Sequence, residues 1–293
     1  MLRFRALVLI LSLCLPLLSG ADTLRIGTVS SYPEKAHEHY RLFAELLEKQ
    51  LLDTTINDVE LVFADNLENM IRQLKQNQID LYMDSAVVSS YINHQSLSRV
   101  LVRQWKEGKS HYRSVIFTRK GSPIRSLDSL SGGSIVFKEP QSSSGYLIPR
   151  IYIQAQRIDL KPLVGKQIYA AHDHISYVFS YSNQRTLDWV LDGRYNAGVV
   201  SSTYFEALPT EIRAQLRVID RSYKVPRHLV SIRGGLPDAL TDRLRNILLS
   251  MHKTEVGRQA MTKLYGTTLF DRYPPHDAIL LDVIRADLIH IFE

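Results

Sequence analysis

Apolar and polar positions along this chain repeat with two periods, near two residues for strands and near 3.6 for helices. Leu24-Arg25-Ile26-Gly27-Thr28-Val29 alternates as a short strand and stops at Ser30-Ser31-Tyr32-Pro33. From Glu34 to Leu52 the apolar residues Tyr40, Phe43, Leu46, Leu47 and Leu51 recur at helical spacing. Val59 to Phe63 reads as a second strand, and Leu67, Met70, Ile71 and Leu74 mark the helix after it. A third strand, Ile79 to Met83, breaks off at Asp84-Ser85. Strand, helix, strand, helix, strand is the pattern of a parallel α/β sheet. Ligands of such sheets gather beyond the carboxyl ends of the strands, where Ser30, Ser31, Tyr32, Asp84 and Ser85 fall.

The pattern then begins again. Tyr112 to Phe117 is a strand, and Ser134 to Phe137 is a short apolar strand arriving from Gly132-Gly133. Lys166 to Ala170 suits a strand ending at Ala171-His172-Asp173-His174, followed by a helix from Gln184 to Leu191 and a strand from Tyr195 to Ser201. Asn77-Gln78-Ile79-Asp80-Leu81 is echoed by Gly193-Arg194-Tyr195-Asn196-Ala197. Each follows a helix, and each strand ends near a serine, Ser85 or Ser201. Val218 to Gly234 holds two short strands around Pro226, and three amphipathic helices close the chain near Asp238–Lys253, Glu255–Leu264 and Ala278–Ile291. A chain that builds one lobe, crosses to a second and returns predicts an α/β fold of two lobes. Each is a sheet flanked by helices, with the ligand cleft between them. The expected division is a leader over 1–21, lobe one over 22–108, lobe two over 109–205, and a return crossover with lobe-one helices over 206–293. The crossings fall near Trp105–Tyr112 and Thr203–Tyr223.

The leader rests on its own pattern. Arg3 and Arg5 precede an apolar run, Ala6 to Leu18, and Ser19-Gly20-Ala21 offers small residues for cleavage. The run is short of the roughly 20 residues a membrane span needs. The expected product is an exported, soluble protein, cut from a signal peptide. The one cysteine, Cys14, lies in this leader, so disulfides, thiol nucleophiles and cysteine–metal sites are not expected. A net charge of +6, spread without a basic run, favours anionic ligands weakly and does not argue for nucleic acid.

Candidate chemistry concentrates in Glu139-Pro140-Gln141-Ser142-Ser143-Ser144-Gly145-Tyr146-Leu147-Ile148-Pro149-Arg150. Pro140 ends the preceding strand because it has no N–H for a ladder. Tyr146, Leu147, Ile151, Tyr152 and Ile153 supply the apolar side of a helix. Three hydroxyls therefore sit where a helix starts, beside backbone N–H groups without intrahelical acceptors. Such a terminus suits a small anion. One serine would satisfy a plain cap; three before a glycine exceed that need.

This stretch resembles the Asp-Pro-x-Ser-Thr-Ser-Gly-Tyr-Leu-x-Pro signature of the phosphate/phosphite/phosphonate-binding proteins of ABC transporters, and the likeness runs in order from about Leu24 to Tyr265. The resemblance implies a two-lobed type 2 periplasmic binding protein that holds a phosphorus oxyanion and delivers it to an ABC permease as a monomer. It implies no catalysis, no cofactor and no metal. Ser142, Ser143 and Ser144 match its Ser-Thr-Ser. Tyr112 matches the tyrosine entering lobe two, and His172 the histidine after the next strand. Tyr32, Ser85 and Asp84 are the expected lobe-one contacts, with Asp84 placed to accept from a P–OH group. Members that bind aminoalkylphosphonates carry carboxylates where this chain has Thr203 and Val225-Pro226-Arg227-His228, and a tyrosine where it has Leu67. The departures imply a compact ligand without a cationic tail: phosphate, phosphite or a small alkylphosphonate.

Three other readings compete. His37-Glu38-His39 and His172-Asp173-His174 suggest metal, but helical positions two apart point in nearly opposite directions, and no His-x-x-x-His pair accompanies them. A hydrolase lacks the Gly-x-Ser-x-Gly elbow and any base beyond His172 and Asp173. A periplasmic sensor that signals to a membrane kinase or cyclase would need the same cleft.

Overall fold

The computed structural model describes residues 22–30, 32–163 and 173–292. The leader, Ser31, the strand expected at Lys166–Ala170 and His172 lie outside the described residues.

The first lobe opens with β1 (Asp22–Val29), α1 (Pro33–Leu51), β2 (Ile56–Ala64), α2 (Leu67–Lys75) and β3 (Leu81–Ser85). β1 pairs in parallel with β2 and β3, as the alternation predicts. Two elements absent from the sequence reading follow, α3 (Ala86–Ser96) and β4 (Arg99–Lys106). α3 carries valines and serines of modest helix propensity. Burial makes it a helix, since Ala86, Val87, Val88, Ser89, Ser90, Ile92 and Ser96 are all buried. The Ser90 and Ser96 hydroxyls donate back to the Val87 and Ile92 carbonyls.

The chain crosses through β5 (His111–Tyr112) into β6 (Ser114–Arg119), β7 (Ser134–Phe137), α4 (Ile148–Ala155), β8 (Asp159–Pro162), β9 (His174–Phe179), α5 (Asn183–Leu191) and β10 (Ala197–Ser201). Two short helices, α6 (Ser202–Glu206) and α7 (Thr210–Arg213), lead to β11 (Leu216–Arg221). β12 (Val225–Pro226) and β13 (His228–Ile232) then return to the first lobe. α8 (Asp238–Ser250), α9 (Glu255–Lys263), β14 (Thr267–Asp271) and α10 (Pro275–Phe292) complete it.

Among the described residues this gives two six-stranded mixed sheets, ordered β14-β4-β13-β3-β1-β2 and β11-β6-β10-β7-β9-β8. The strand expected from Tyr112 to Phe117 is two strands. Tyr112 belongs to a two-stranded ribbon with β12, and the second sheet starts at Ser114. β11 is the edge of that second sheet, so its strands continue past residue 205 to Arg221. The ribbon therefore joins the two passages of chain between the lobes.

The sequence echo is structural. Asn77 and Gly193 both adopt left-handed backbone just past a helix, with φ of 56° and 71°. Three residues on, the Asp80 carboxylate accepts from the Arg25 N–H of β1 at 2.9 Å. The Asn196 amide oxygen accepts from the Ser134 N–H of β7 at the same distance. β3 and β10 then run parallel to β1 and β7, and antiparallel to β13 and β6. Both end at a serine that starts a helix, Ser85 before α3 and Ser201 before α6. The two lobes repeat one plan, and it brings two strand ends to a common cleft.

Candidate functional site

The serine stretch forms one wide helical turn before α4. Leu147 N–H donates to the Ser142 carbonyl at 3.0 Å, five residues back, and Ile148 N–H to the Ser143 carbonyl. Turns of this kind recur at functional sites. Ser142 is the cap, its hydroxyl accepting from Gly145 N–H at 3.2 Å. Lys138 N–H donates to the Gly145 carbonyl, and the Ser114 hydroxyl to the Ser144 carbonyl at 2.7 Å. Gly145 is required by space: a Cβ there would lie 2.6 Å from Lys138 Cβ and 2.7 Å from Ser142 Oγ. The turn is thus fixed from three sides, with Ser143 and Ser144 at its open first residues.

Lobe one meets it directly. Ser85, at the end of β3, shares a hydrogen bond of 2.6 Å with the Ser143 hydroxyl. Behind Ser85, the Asp84 carboxylate accepts from Ser85 N–H at 2.6 Å and from its hydroxyl at 3.1 Å. Burial pushes the Asp84 carboxyl up to about 6 against those two bonds. Tyr112 is buried beside the turn, near Ser143 and Ser144. Burial raises its phenol to about 12, so it is a neutral donor. Ser143, Ser144, Ser85, Asp84 and Tyr112, drawn from both lobes and the ribbon, form one polar cluster.

A cavity of about 440 Å³ opens from Asp84, lined also by Gln104, Lys106, Lys138, His228 and Tyr265. Burial, then the Arg227 charge, pulls the Lys106 ammonium down to about 8. Its Nζ lies 4.9 Å above the Tyr265 ring. Burial also holds His228 neutral, well below its ordinary value. His228 Nδ1 and Gln104 Oε1 are buried without a hydrogen-bond partner among the described residues. Sequence reasoning missed Lys106 and Gln104 because β4 itself went unread. Lys138 stood in view, directly before the serine stretch.

Other expected residues fall elsewhere. Tyr32 precedes α1 and is 75% exposed, outside the residues lining the cavity. His172 is outside the described residues. Leu67 is a buried residue of the apolar core at the start of α2. Thr203 and Arg227 meet each other: Arg227 Nη1 donates to Thr203 Oγ1 at 2.9 Å, and its guanidinium lies 5.2 Å from the Tyr112 ring. His111, His276 and Asp277 stand close enough to suggest a metal cluster. Arg103 already holds that place, donating to Asp277 at 2.7 Å and lying 3.5 Å from the His111 ring nitrogen. A permanent guanidinium charge there opposes a second cation.

Comparison with known proteins bears on the family and the fold. The family model for the ABC-transporter phosphonate periplasmic substrate-binding protein matches residues 26–277. Among solved structures, the Xanthomonas citri protein XAC2383, seen bound to chloride ion and to ATP, has a TM-score of 0.84 at 21% identity. That alignment covers 92% of this chain and 98% of that one. PhnD1 from Prochlorococcus marinus, in complex with methylphosphonate, has a TM-score of 0.67 at 17% identity over 91% of this chain and 98% of its own. A binding protein component of an ABC phosphonate transporter from Pseudomonas aeruginosa gives 0.63 at 16% identity over 91% and 87%. At these identities the structural likeness is one of fold. No helix among the described residues is long and apolar enough to cross a membrane. The match over residues 26–277 settles the family: this chain belongs to the phosphonate periplasmic substrate-binding proteins of ABC transporters, which capture a solute for an importer.

Proposed function

We propose that the protein captures a phosphorus oxyanion (phosphate, phosphite or an alkylphosphonate) on the serine turn, between the two lobes, and presents it as a monomer to an ABC permease. The observation that carries this reading is the 2.6 Å contact between Ser85 and Ser143, which brings hydroxyls of opposite lobes to the open end of one helical turn. An anion there receives the Ser143 and Ser144 hydroxyls, the turn's unpaired N–H groups and the Tyr112 phenol. Charge-assisted bonds of this kind are short and strong in a desolvated cleft. Asp84 accepts from a P–OH and so favours a singly protonated anion. His172, on the resemblance to the family, closes the site from lobe two, and Tyr32 its rim on lobe one.

The Arg227–Thr203 pair supports the absence of a cationic tail. On the resemblance it stands where amine-binding members carry acids, and Arg227, paired with Glu107 at 3.3 Å, leaves no free carboxylate at that place to receive an ammonium. The ribbon of β5 and β12 is the proposed hinge, with the lobes closing as bodies about it. Residues 1–21 serve as the export signal.

Titration calorimetry of the purified protein tests this with phosphate, phosphite, methylphosphonate, 2-aminoethylphosphonate and sulfate. Micromolar or tighter binding of one phosphorus anion supports the reading. Preference for the aminophosphonate would overturn the argument from Arg227 and Thr203, and silence toward every phosphorus anion would overturn the function.

A further inference from the structure

Of the polar cluster only Asp84 lines the neighbouring cavity. The cavity behind Asp84, about 440 Å³, is in the range that houses drug-sized ligands, and a single tetrahedral anion fills a small part of it. Its polarity is specific. Among the described residues Lys106 has no carboxylate within ion-pair reach; its ammonium rests on the Tyr265 face at 4.9 Å. Lys138 lines the cavity from the other lobe and is paired with Glu139 at 2.6 Å. Gln104 Oε1 and His228 Nδ1 are buried and unpartnered, although buried polar atoms are seldom left so.

An apolar tail would leave these groups desolvated and unmatched. An ammonium tail would meet Lys106 and Lys138 and find one carboxylate in the lining, Asp84, whose Oδ1 already accepts from Ser85. A second anion matches the cations: it neutralises Lys106 and attracts Lys138, and an imidazole N–H at His228 can donate to it, while Gln104 Oε1, an acceptor, is left to water. Asp84 joins the two regions, its Oδ1 accepting from Ser85 while the residue also lines the cavity.

We infer that the ligand is two-headed: a phosphorus oxyanion on the serine cluster joined to a second anionic group, a carboxylate or second phosphoryl, held by Lys106, Lys138 and His228. This rests on the serine-turn reading and extends it from the head of the ligand to the whole. Lys106 is the specificity-determining residue, because its charge is the one in the cavity that no acid of the protein balances at ion-pair distance among the described residues.

The test compares methylphosphonate with phosphonoacetate, 3-phosphonopropionate and pyrophosphate by titration calorimetry, on the wild-type protein and on Lys106→Met. The carboxylates and pyrophosphate separate the two sources of the second charge. At least one two-headed anion should bind tenfold or more tighter than methylphosphonate, and Lys106→Met should shrink that ratio by about tenfold. Equal or tighter binding of methylphosphonate by the wild type overturns the inference without any variant, and leaves the serine-turn reading intact. A ratio that survives Lys106→Met in a protein with an unchanged melting temperature also overturns it. Failure of all four anions to bind overturns the inference, and failure of phosphate and phosphite as well overturns the serine-turn reading.

Discussion

At Asp84 the folded chain carries a charge that its surroundings oppose. Burial lifts the carboxyl from its ordinary 3.8 to about 6, more than the N–H and hydroxyl of Ser85 and the Lys106 charge can offset. That lift corresponds to roughly 3 kcal/mol at neutral pH. The folded chain holds this proton more tightly than the unfolded chain does. Stability from the group is therefore complete below pH 3.8, is lost as pH rises toward 6, and stays lost above it. Asp84→Asn keeps an oxygen to accept from Ser85 and removes the charge. In urea unfolding the variant should match the wild type near pH 4 and exceed it by up to roughly 3 kcal/mol at pH 8. Binding sites commonly carry such a cost in stability. The reasoning is refuted if the variant is no more stable at pH 8, or if its advantage is the same at pH 4.

Two further perturbations probe the scaffold. Gly145→Ala places a methyl 2.6 Å from Lys138 Cβ. It should destabilise by about 1–3 kcal/mol and weaken anion binding, read by urea unfolding and calorimetry on the same preparation. Arg103→Met removes the partner of Asp271 and Asp277, bound at 2.6 and 2.7 Å beside the ribbon. With Asp277 2% exposed, leaving that carboxylate with His111 Nε2, at 2.8 Å, in place of the guanidinium should cost about 3–5 kcal/mol, read by urea unfolding.

What the sequence disclosed depends on whether local pattern or distant packing sets each element. The run from β1 to β3 was legible because Leu24, Ile26, Phe43, Leu47 and Leu74 sit on inner faces at regular spacing. The echo was legible because Asp80 and Asn196 do the same work, each holding the parallel neighbour of the strand it precedes, β1 or β7. β4 was not, since Arg103 and Gln104, buried at 6% and 2%, interrupt its apolar pattern. Their partners, Asp271 and Thr267, lie more than 160 residues away. α3 was hidden for the related reason that burial overrides its propensity. β9 was missed because apolar residues flank His172-Asp173 on both sides. Pairing with β7 and β8 selects 174–179 as a strand, and sheet partners decide strands more than intrinsic preference does. In the site, the serine turn and Ser85 were readable from position alone. The basic cavity was not, because Lys106 and His228 come together only when β13 inserts between β3 and β4.

The central claim is that one anion is held by hydroxyls of both lobes, and a double-mutant cycle on phosphite or methylphosphonate binding tests it most directly. Ser85→Ala and Ser143→Ala should each weaken binding by about 1.5–3 kcal/mol, the value of a hydrogen bond to a charged group. The double variant should lose less than the sum, because the two hydroxyls share a contact. If either single variant binds as the wild type does, the anion is not held between the lobes and the account is wrong.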